Sequence, residues 1–389
     1  MSRLSHESAA RRWDEPGRAA RSYGRAALRA ALERTRRQFR DFIAALDRSQ
    51  FWPPYSTGIN PPLWEVAHAA WFGDWFCLRD QGRHARPSRW PGADDWLDSR
   101  RIAHRARWQL PELTRERLLD YLAVTLEDLL AGLASAEESD PGLEPFRWTL
   151  YHDLMHLEAL AWLAQTLAWP APPWVRSDPP PQAAAGRLAT HARLSLPPMP
   201  GFVFDNELHA HCEVPEAVEL SPLVRFDDFA RWVEAGGYAQ ATGRPHPPYW
   251  RRGPRGRWQH RRFDSWLPCD SDEPVVHIEA LAAEVFAREH GARLPTEEEL
   301  TAAWVLQPDA CPQDVGWVWE WTATTFAPYP GFSPGLYREY SAPWFDGQHR
   351  VLKGGSYATP LELHHARFRN FFRPERYDVF AGFRLAVPV

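Results

Sequence analysis

The stretch YHDLMHLEAL, residues 151–160, sets two histidines four positions apart in an otherwise mostly apolar run. Successive residues of an α-helix turn by about 100°, so His152 and His156 lie only about 40° apart around the axis. Leu160, Leu163 and Leu167 fall on the same side. Both rings therefore point where a core should be. A buried imidazole without a partner costs ~1–3 kcal/mol, so the pair calls for a shared one.

Working outward, the chain reads as helix up to about residue 170. Residues 17–48 carry Leu28, Leu32, Phe39, Phe42, Ile43 and Leu46 at helical spacing. A second helix is expected after Asn60, with Pro61 in its first turn, where proline is tolerated. It presents Trp64, His68, Trp71, Trp75 and Leu78 on one stripe. A third is expected from Thr114, a good N-cap, and carries Leu118, Leu122, Leu129 and Leu133. The fourth holds the opening motif and runs to about Trp169. Four such helices predict an antiparallel bundle over residues 1–168 with one long crossover at 79–113.

Proline-dense sequence follows, WPAPPWVRSDPPPQAAAG at 169–186. It cannot sustain a helix or a central strand, and we expect a semi-rigid linker over 169–199. The remainder, 200–389, is rich in Gly, Pro and Trp, with short β-like pieces such as FVFD and HRVLKGGSY. Two helices are expected in it, PLVRFDDFARWVEAG and EALAAEVFAREHG. The fold class is α+β.

Composition bounds the possibilities. With 45 basic and 50 acidic residues among 389, the formal charge is −5, which argues against a general nucleic-acid binder. The four cysteines, Cys77, Cys212, Cys269 and Cys311, are scattered, so neither a disulfide framework nor a Cys-rich zinc site is expected. The charged N-terminus lacks the apolar core of a signal peptide, and no run is long and apolar enough for a membrane span. A cytoplasmic setting is expected, without nucleic-acid or membrane partners. Twenty-one tryptophans imply bulky cores or an aromatic-lined pocket able to hold a cation.

His68 lies on the core side of the second helix. A single histidine on an apolar face is usually a core residue satisfied by one hydrogen bond. Three, drawn from two helices, can converge on a metal ion, as bundle metal sites do. Three neutral nitrogens would leave coordination positions open, an arrangement suited to catalysis. Spacing does not choose between zinc and iron.

The C-terminal half carries four motifs in order: GARLPTEEELTAAW (291–304), GWVWEWT (316–322), RVLKGGSY (350–357) and RFRNFFRPERYDVFAGFRLA (367–386). This order resembles the formylglycine-generating-enzyme-type domain, a fold related to C-type lectins. Those enzymes use a cysteine pair near this end, whereas no cysteine follows Cys311, so their copper-thiolate chemistry is not expected. Joined to a DinB-like four-helix bundle bearing His…HxxxHxE, the whole resembles the ergothioneine-synthase-like non-haem iron enzymes. The carrying segments are PPLWEVAHAAWF (61–72), YHDLMHLEA (151–159) and APYPGFSPGLYREYSAPWF (327–345).

The resemblance implies an enzyme that uses Fe(II) and O2 to join sulfur or selenium to the imidazole ring of hercynine, the trimethylated betaine of histidine. It implies His68, His152 and His156 as iron ligands. It implies Tyr340 as the proton-donating tyrosine, with Tyr337 and then Tyr329 as other registers. It places Asp378, Val379 and Phe380 in a wall of the site. Position 155, often Gln in ergothioneine synthases, where it contacts hercynine, is Met155 here. That departure and the compact chain fit better the selenoneine synthases, which take selenium from a selenosugar. The basic crossover stretch RRIAHRARW (100–108) offers His104, Arg105 and Arg107 to grip a donor's carboxylates, as in the relatives that use γ-glutamylcysteine or cysteine. Two other readings stay open: a DinB-type zinc thiol transferase, and a lectin-like binder with structural histidines. Oligomeric state is not legible.

Overall fold

The computed structural model describes residues 13–81, 83, 86–178, 185–196, 198–269, 272–307 and 314–389, without the side chains of 191–194. Cys311 and part of the proline-rich stretch lie outside them. The helical half contains α1 (Glu15–Arg21), α2 (Arg25–Ala45), α3 (Pro62–Phe72), a short α4 (Ala93–Trp96), α5 (Arg115–Ser135) and α6 (Asp140–Leu167). Helices α2 and α3 each pack on both α5 and α6, completing the four-helix bundle.

The single helix expected over 17–48 is two. Gly24, extended at φ −77° and ψ 179°, separates α1 from α2. Helix α1 leaves the bundle to lie on the C-terminal half, where Arg21 makes a buried two-pronged ion pair with Glu207 at 2.6 and 2.7 Å. Helix α5 starts as its cap dictates, Thr114 Oγ1 accepting from the Arg117 N–H at 3.3 Å. Helix α6 starts earlier than its motif, capped by Ser139. Beyond α3 the chain continues as a π-helical segment, Gly73–Leu78, a geometry frequent near functional sites.

The C-terminal half builds four small sheets from β1 (Gly186–Leu188), β2 (His191–Ser195), β3 (His211–Val214), β4 (Val218–Leu223), β5 (Trp250–Arg252), β6 (Trp258–Arg262), β7 (Ser265–Pro268), β8 (Trp319–Thr325), β9 (Arg350–Lys353), β10 (Asn370–Phe372), β11 (Ala381–Gly382) and β12 (Arg384–Pro388). Their orders are β1-β4-β12, β10-β9-β8-β11, β2-β3 and β5-β6-β7. Helices α7 (Phe226–Glu234), α8 (Gly237–Thr242), α9 (Ala280–Glu289) and α10 (Glu297–Val305) complete it.

Three sequence expectations need correction. The stretch 169–199 holds β1 and β2, so chain assigned to a linker joins the sheets as soon as the prolines thin out. The FVFD piece is no strand; its last residue opens a 3-10 turn at Asp205–Glu207. The two helices expected in the C-terminal half are four among the described residues, and the GARLPTEEELTAAW motif opens the last of them, with Thr296 and Glu299 forming a reciprocal capping box.

Glu158, two residues past His156, ties the halves together. Its buried Oε1 accepts from Trp319 Nε1 at 2.7 Å, Thr359 Oγ1 at 2.7 Å and Ser356 Oγ at 3.3 Å, all from the C-terminal half. Farther along the helix, Gln165 Oε1 accepts from the Phe263 N–H at 2.6 Å. Helix α6 is thus both the inner wall of the bundle and the seat of the second domain.

Candidate metal centre

His68 from α3 and His152 and His156 from α6 converge as their spacings predict. One ring nitrogen from each falls within 4.8 Å of the others. The Nε2 atoms of His152 and His156 are 3.2 Å apart, the separation that two ligand bonds of about 2.1 Å subtend at a shared ion. Two of the rings are tethered through the other nitrogen. His68 Nδ1 donates to the Leu97 carbonyl at 2.6 Å, and His156 Nδ1 to Glu65 Oε1 at 2.7 Å. Each tether fixes the tautomer and leaves Nε2 as a lone pair.

His152 is held differently. Its ring stacks on Phe72, centroids 3.7 Å apart and planes 6° off parallel. Its Nδ1 is buried without an acceptor among the described residues. Trp64 and Trp71 stack on His68 at 4.8 and 5.6 Å. Burial, then the neighbouring His156, depresses the His68 pKa to about 3. The same two causes hold His152 well below its ordinary value. Burial works to raise the Glu65 pKa, but His156, Asn60 and His68 outweigh it, and the carboxylate stays ionised. His68 and His152 thus present neutral nitrogens beside one anion, and the three rings with Glu65 make a donor set that fits a divalent iron or zinc ion.

The second domain meets this cluster through the loop after β8. Tyr340 Oη approaches Met155 Sδ at 3.9 Å, on the turn between His152 and His156. Its ring stacks on Phe204 at 4.9 Å and meets Trp148 edge-on at 5.0 Å. Burial, then Glu207 and Asp205, lifts its pKa well above the ordinary phenol value. Tyr337 comes to the same region, edge-on to Phe72 at 5.1 Å, and Phe72 in turn stacks on His152. Tyr329 does not: it lies within the second domain, against His211 and under the Arg369 guanidinium at 4.2 Å.

The remaining predicted residues divide. Asp378 pairs with Arg376 at 2.5 and 2.7 Å and abuts the loop before α3. A Cβ on Gly58 would sit 2.5 Å from Asp378 Oδ2, so only glycine allows that approach. Val379 is buried, its carbonyl accepting from His277 Nδ1 at 3.0 Å. Phe380 is wholly buried between Phe263, His277 and Tyr357, in the second domain's core rather than in a wall of the centre. Arg105 is exposed, stacked over Tyr55 at 4.8 Å. His104 Nε2 is 3.0 Å from the Ile59 carbonyl. Arg107 turns inward, to Asn60 Oδ1 at 2.7 Å and over the Trp64 ring at 4.1 Å. Sequence reasoning missed Glu65 and Leu97. Glu65 had a signal, as the one charge in PLWEVAHAAWF.

Fold and site together define a DinB-type bundle with three convergent imidazoles, docked on a sulfatase-modifying-factor-type domain. Comparison with known proteins agrees on both halves. Residues 31–193 match the DinB superfamily, and residues 223–305 and 313–389 match the sulfatase-modifying factor enzyme 1-like domain. The chain is 29% identical over 435 residues to the hercynine oxygenase of Mycolicibacterium smegmatis, covering 92% of this chain and 97% of that one. It is 29% identical over 410 residues to the hercynine oxygenase of Mycobacterium tuberculosis, covering 88% and 95%. A shorter match, 30% over 129 residues and covering 26% and 17%, is to ergothioneine biosynthesis protein 1 of Schizosaccharomyces pombe. The chain thus joins a DinB-superfamily part to a sulfatase-modifying-factor-type part, and over nearly its whole length it is similar to hercynine oxygenases.

Proposed function

We propose that this chain is an Fe(II)- and O2-dependent enzyme that replaces a C–H bond of the hercynine imidazole with a carbon–chalcogen bond, the chalcogen being selenium from a selenosugar. The observation that carries the reading is the convergence of the three imidazoles beside Tyr340, in a chain related over nearly its whole length to hercynine oxygenases. His68, His152 and His156 would hold the iron, which supplies the O2 chemistry when bound.

The chain's own residues do the rest. The second domain, fixed on α6 by Glu158, brings a phenol whose high pKa keeps its proton in place until a stronger base forms nearby. Its nearest acceptor is a thioether, a weak one, so the O–H is free to donate toward the histidine face. Trp64, Trp71 and Phe72 pack the histidines on their ring faces and keep water from the back of the site.

The donor preference has its own support. Arg100 is paired with Asp98 and Glu339 and Arg107 is committed to Asn60 and Trp64, which leaves Arg105, exposed over Tyr55, as a lone guanidinium of the three. A donor bearing amino-acid carboxylates wants a bidentate arginine clamp; a sugar donor does not. The test is competition between donors. Iron-loaded protein with hercynine and O2 is offered equimolar selenosugar, γ-glutamylcysteine and cysteine, and the products are read by mass spectrometry. The selenium conjugate should dominate. A dominant sulfur conjugate would return the chain to the ergothioneine-type sulfoxide synthases, and zinc-bound protein without O2 uptake to the thiol transferases.

A further inference from the structure

Arg107 and His156 lie on different elements, yet an unbroken chain of side chains joins them. Arg107 Nη1 donates to Asn60 Oδ1 at 2.7 Å, Asn60 Nδ2 to Glu65 Oε2 at 2.6 Å, and His156 Nδ1 to Glu65 Oε1 at 2.7 Å. Each link fixes the next. The guanidinium has only donors, so Asn60 must turn its oxygen toward Arg107 and its amide N–H toward Glu65. Glu65 then has one oxygen left for the His156 ring. The same guanidinium covers the Trp64 ring at 4.1 Å, and Trp64 stacks on His68 with planes 6° apart. One arginine thus braces two of the three histidines by separate routes. Its other terminal nitrogen is also engaged, Nη2 donating to the Ser99 carbonyl at 3.2 Å.

We infer that Arg107, Asn60 and Glu65 form a positioning relay that sets the tautomer and direction of His156 for a divalent cation, and that Arg107 serves this relay rather than the donor substrate. The inference rests on the metal reading above. Glu65 suits this role because α3 places it three residues before His68, on the same helix face, and buries it. An imidazole whose Nδ1–H is held by a carboxylate is a better-directed and more basic ligand through Nε2. The relay also explains why the crossover packs against the bundle here. Its residues 97–107 supply the outer supports of two ligands, the Leu97 carbonyl to His68 and Arg107 to His156.

Cobalt(II) titration of the full-length protein tests this, with the cobalt d–d spectrum as a second readout and helicity by circular dichroism as the folding control. Glu65→Ala should weaken cobalt binding by about 10–100-fold, the usual effect of removing such a support, and shift the spectrum. Glu65→Gln should weaken it too, because the new amide N–H faces the amide of Asn60. Adding Asn60→Asp restores the donor–acceptor order, since a carboxylate at position 60 accepts from both neighbours; this pair should recover to within about threefold of the native affinity. A merely structural carboxylate would show no such rescue. Arg107→Ala should weaken cobalt binding several-fold and leave the donor KM unmoved. Native affinity in Glu65→Ala, no rescue in the double variant, or an unchanged spectrum with a tenfold higher donor KM in Arg107→Ala would each overturn the relay. A native chain that takes up no cobalt would overturn the metal reading itself.

Discussion

Replacing Glu158 separates two roles that one side chain now fills. Its Oε1 receives three donors from the second domain: Trp319 Nε1 at 2.7 Å, Thr359 Oγ1 at 2.7 Å and Ser356 Oγ at 3.3 Å. Burial raises the Glu158 pKa, and the three donors, Thr359 foremost, oppose it. In Glu158→Leu the two hydroxyls keep each other at 2.8 Å, but the indole N–H of fully buried Trp319 is left without an acceptor. The orphaned indole N–H costs about 1–3 kcal/mol and the two hydroxyls, still paired with each other, lose a second partner at about 1 kcal/mol together, so we expect a net loss of roughly 2–4 kcal/mol. In Glu158→Gln the amide oxygen can take the Oε1 position and keep all three donors while relieving the buried charge, so stability should stay within about 1 kcal/mol of native. Urea denaturation followed separately by tryptophan fluorescence and by far-UV circular dichroism reads both, because loosening of the domain contact would split the two curves. Superimposable transitions for the Leu and Gln variants would refute the idea that this one oxygen locks the domains.

Tyr340→Phe removes a hydroxyl whose nearest partner is the Met155 thioether. Melting should barely move, while product formation falls ~10²–10⁴-fold; Tyr337→Phe keeps the ring that packs on Phe72 and Trp148 and should stay near native, and the opposite pattern would make Tyr337 the donor. Acid should destabilise the metal-free protein. Burial depresses His68, His260, His277 and His364 from an ordinary 6.5 to about 3. The unfolded chain therefore takes up protons near pH 6.5 that the folded one refuses until about pH 3, and stability falls as pH drops through that window. His152 and His365, also held well below 6.5 by burial, add to the effect. Asp153, raised by burial to about 6, and Glu158 and Glu320, raised likewise, work the other way. The unfolded histidines take up protons first on the way down from neutral pH, so Tm should decline between pH 6.5 and 5; a flat or rising Tm there would contradict the assignment of these rings as neutral. Arg21→Met leaves Glu207 buried without its cation, and should cost about 3–5 kcal/mol by the loss of one partner of a buried pair, read as a shift in the urea midpoint.

What the sequence yields about this site depends on how far apart in the chain the interacting groups lie. His152 and His156 are separated by one helical turn, and a single periodicity places both on the core face. His68 is found by the same rule on α3, although every residue of that helix is buried, so its apolar stripe carries less information than it promises. The caps at Thr114 and Thr296 are equally local, and the helices start where they dictate. The supports of the centre are not local. Leu97, whose carbonyl holds His68, is 29 residues away and contributes only backbone, which no residue type announces. Arg107 finds Asn60 across 47 residues, so a basic loop read alone looks like a binding surface. Phe380 was hidden for another reason: Asp378, Val379 and Phe380 form a bend in which all three are buried, so no alternation in RYDVFAG separates the residue beside the neighbouring loop from the one in the core. Glu65 stands between these cases. Its partner is 91 residues distant, but a carboxylate three positions before a buried histidine, with no other charge in its helix, already required a buried donor. Reading that requirement, and not only the histidines, would have located the outer supports of the centre from sequence.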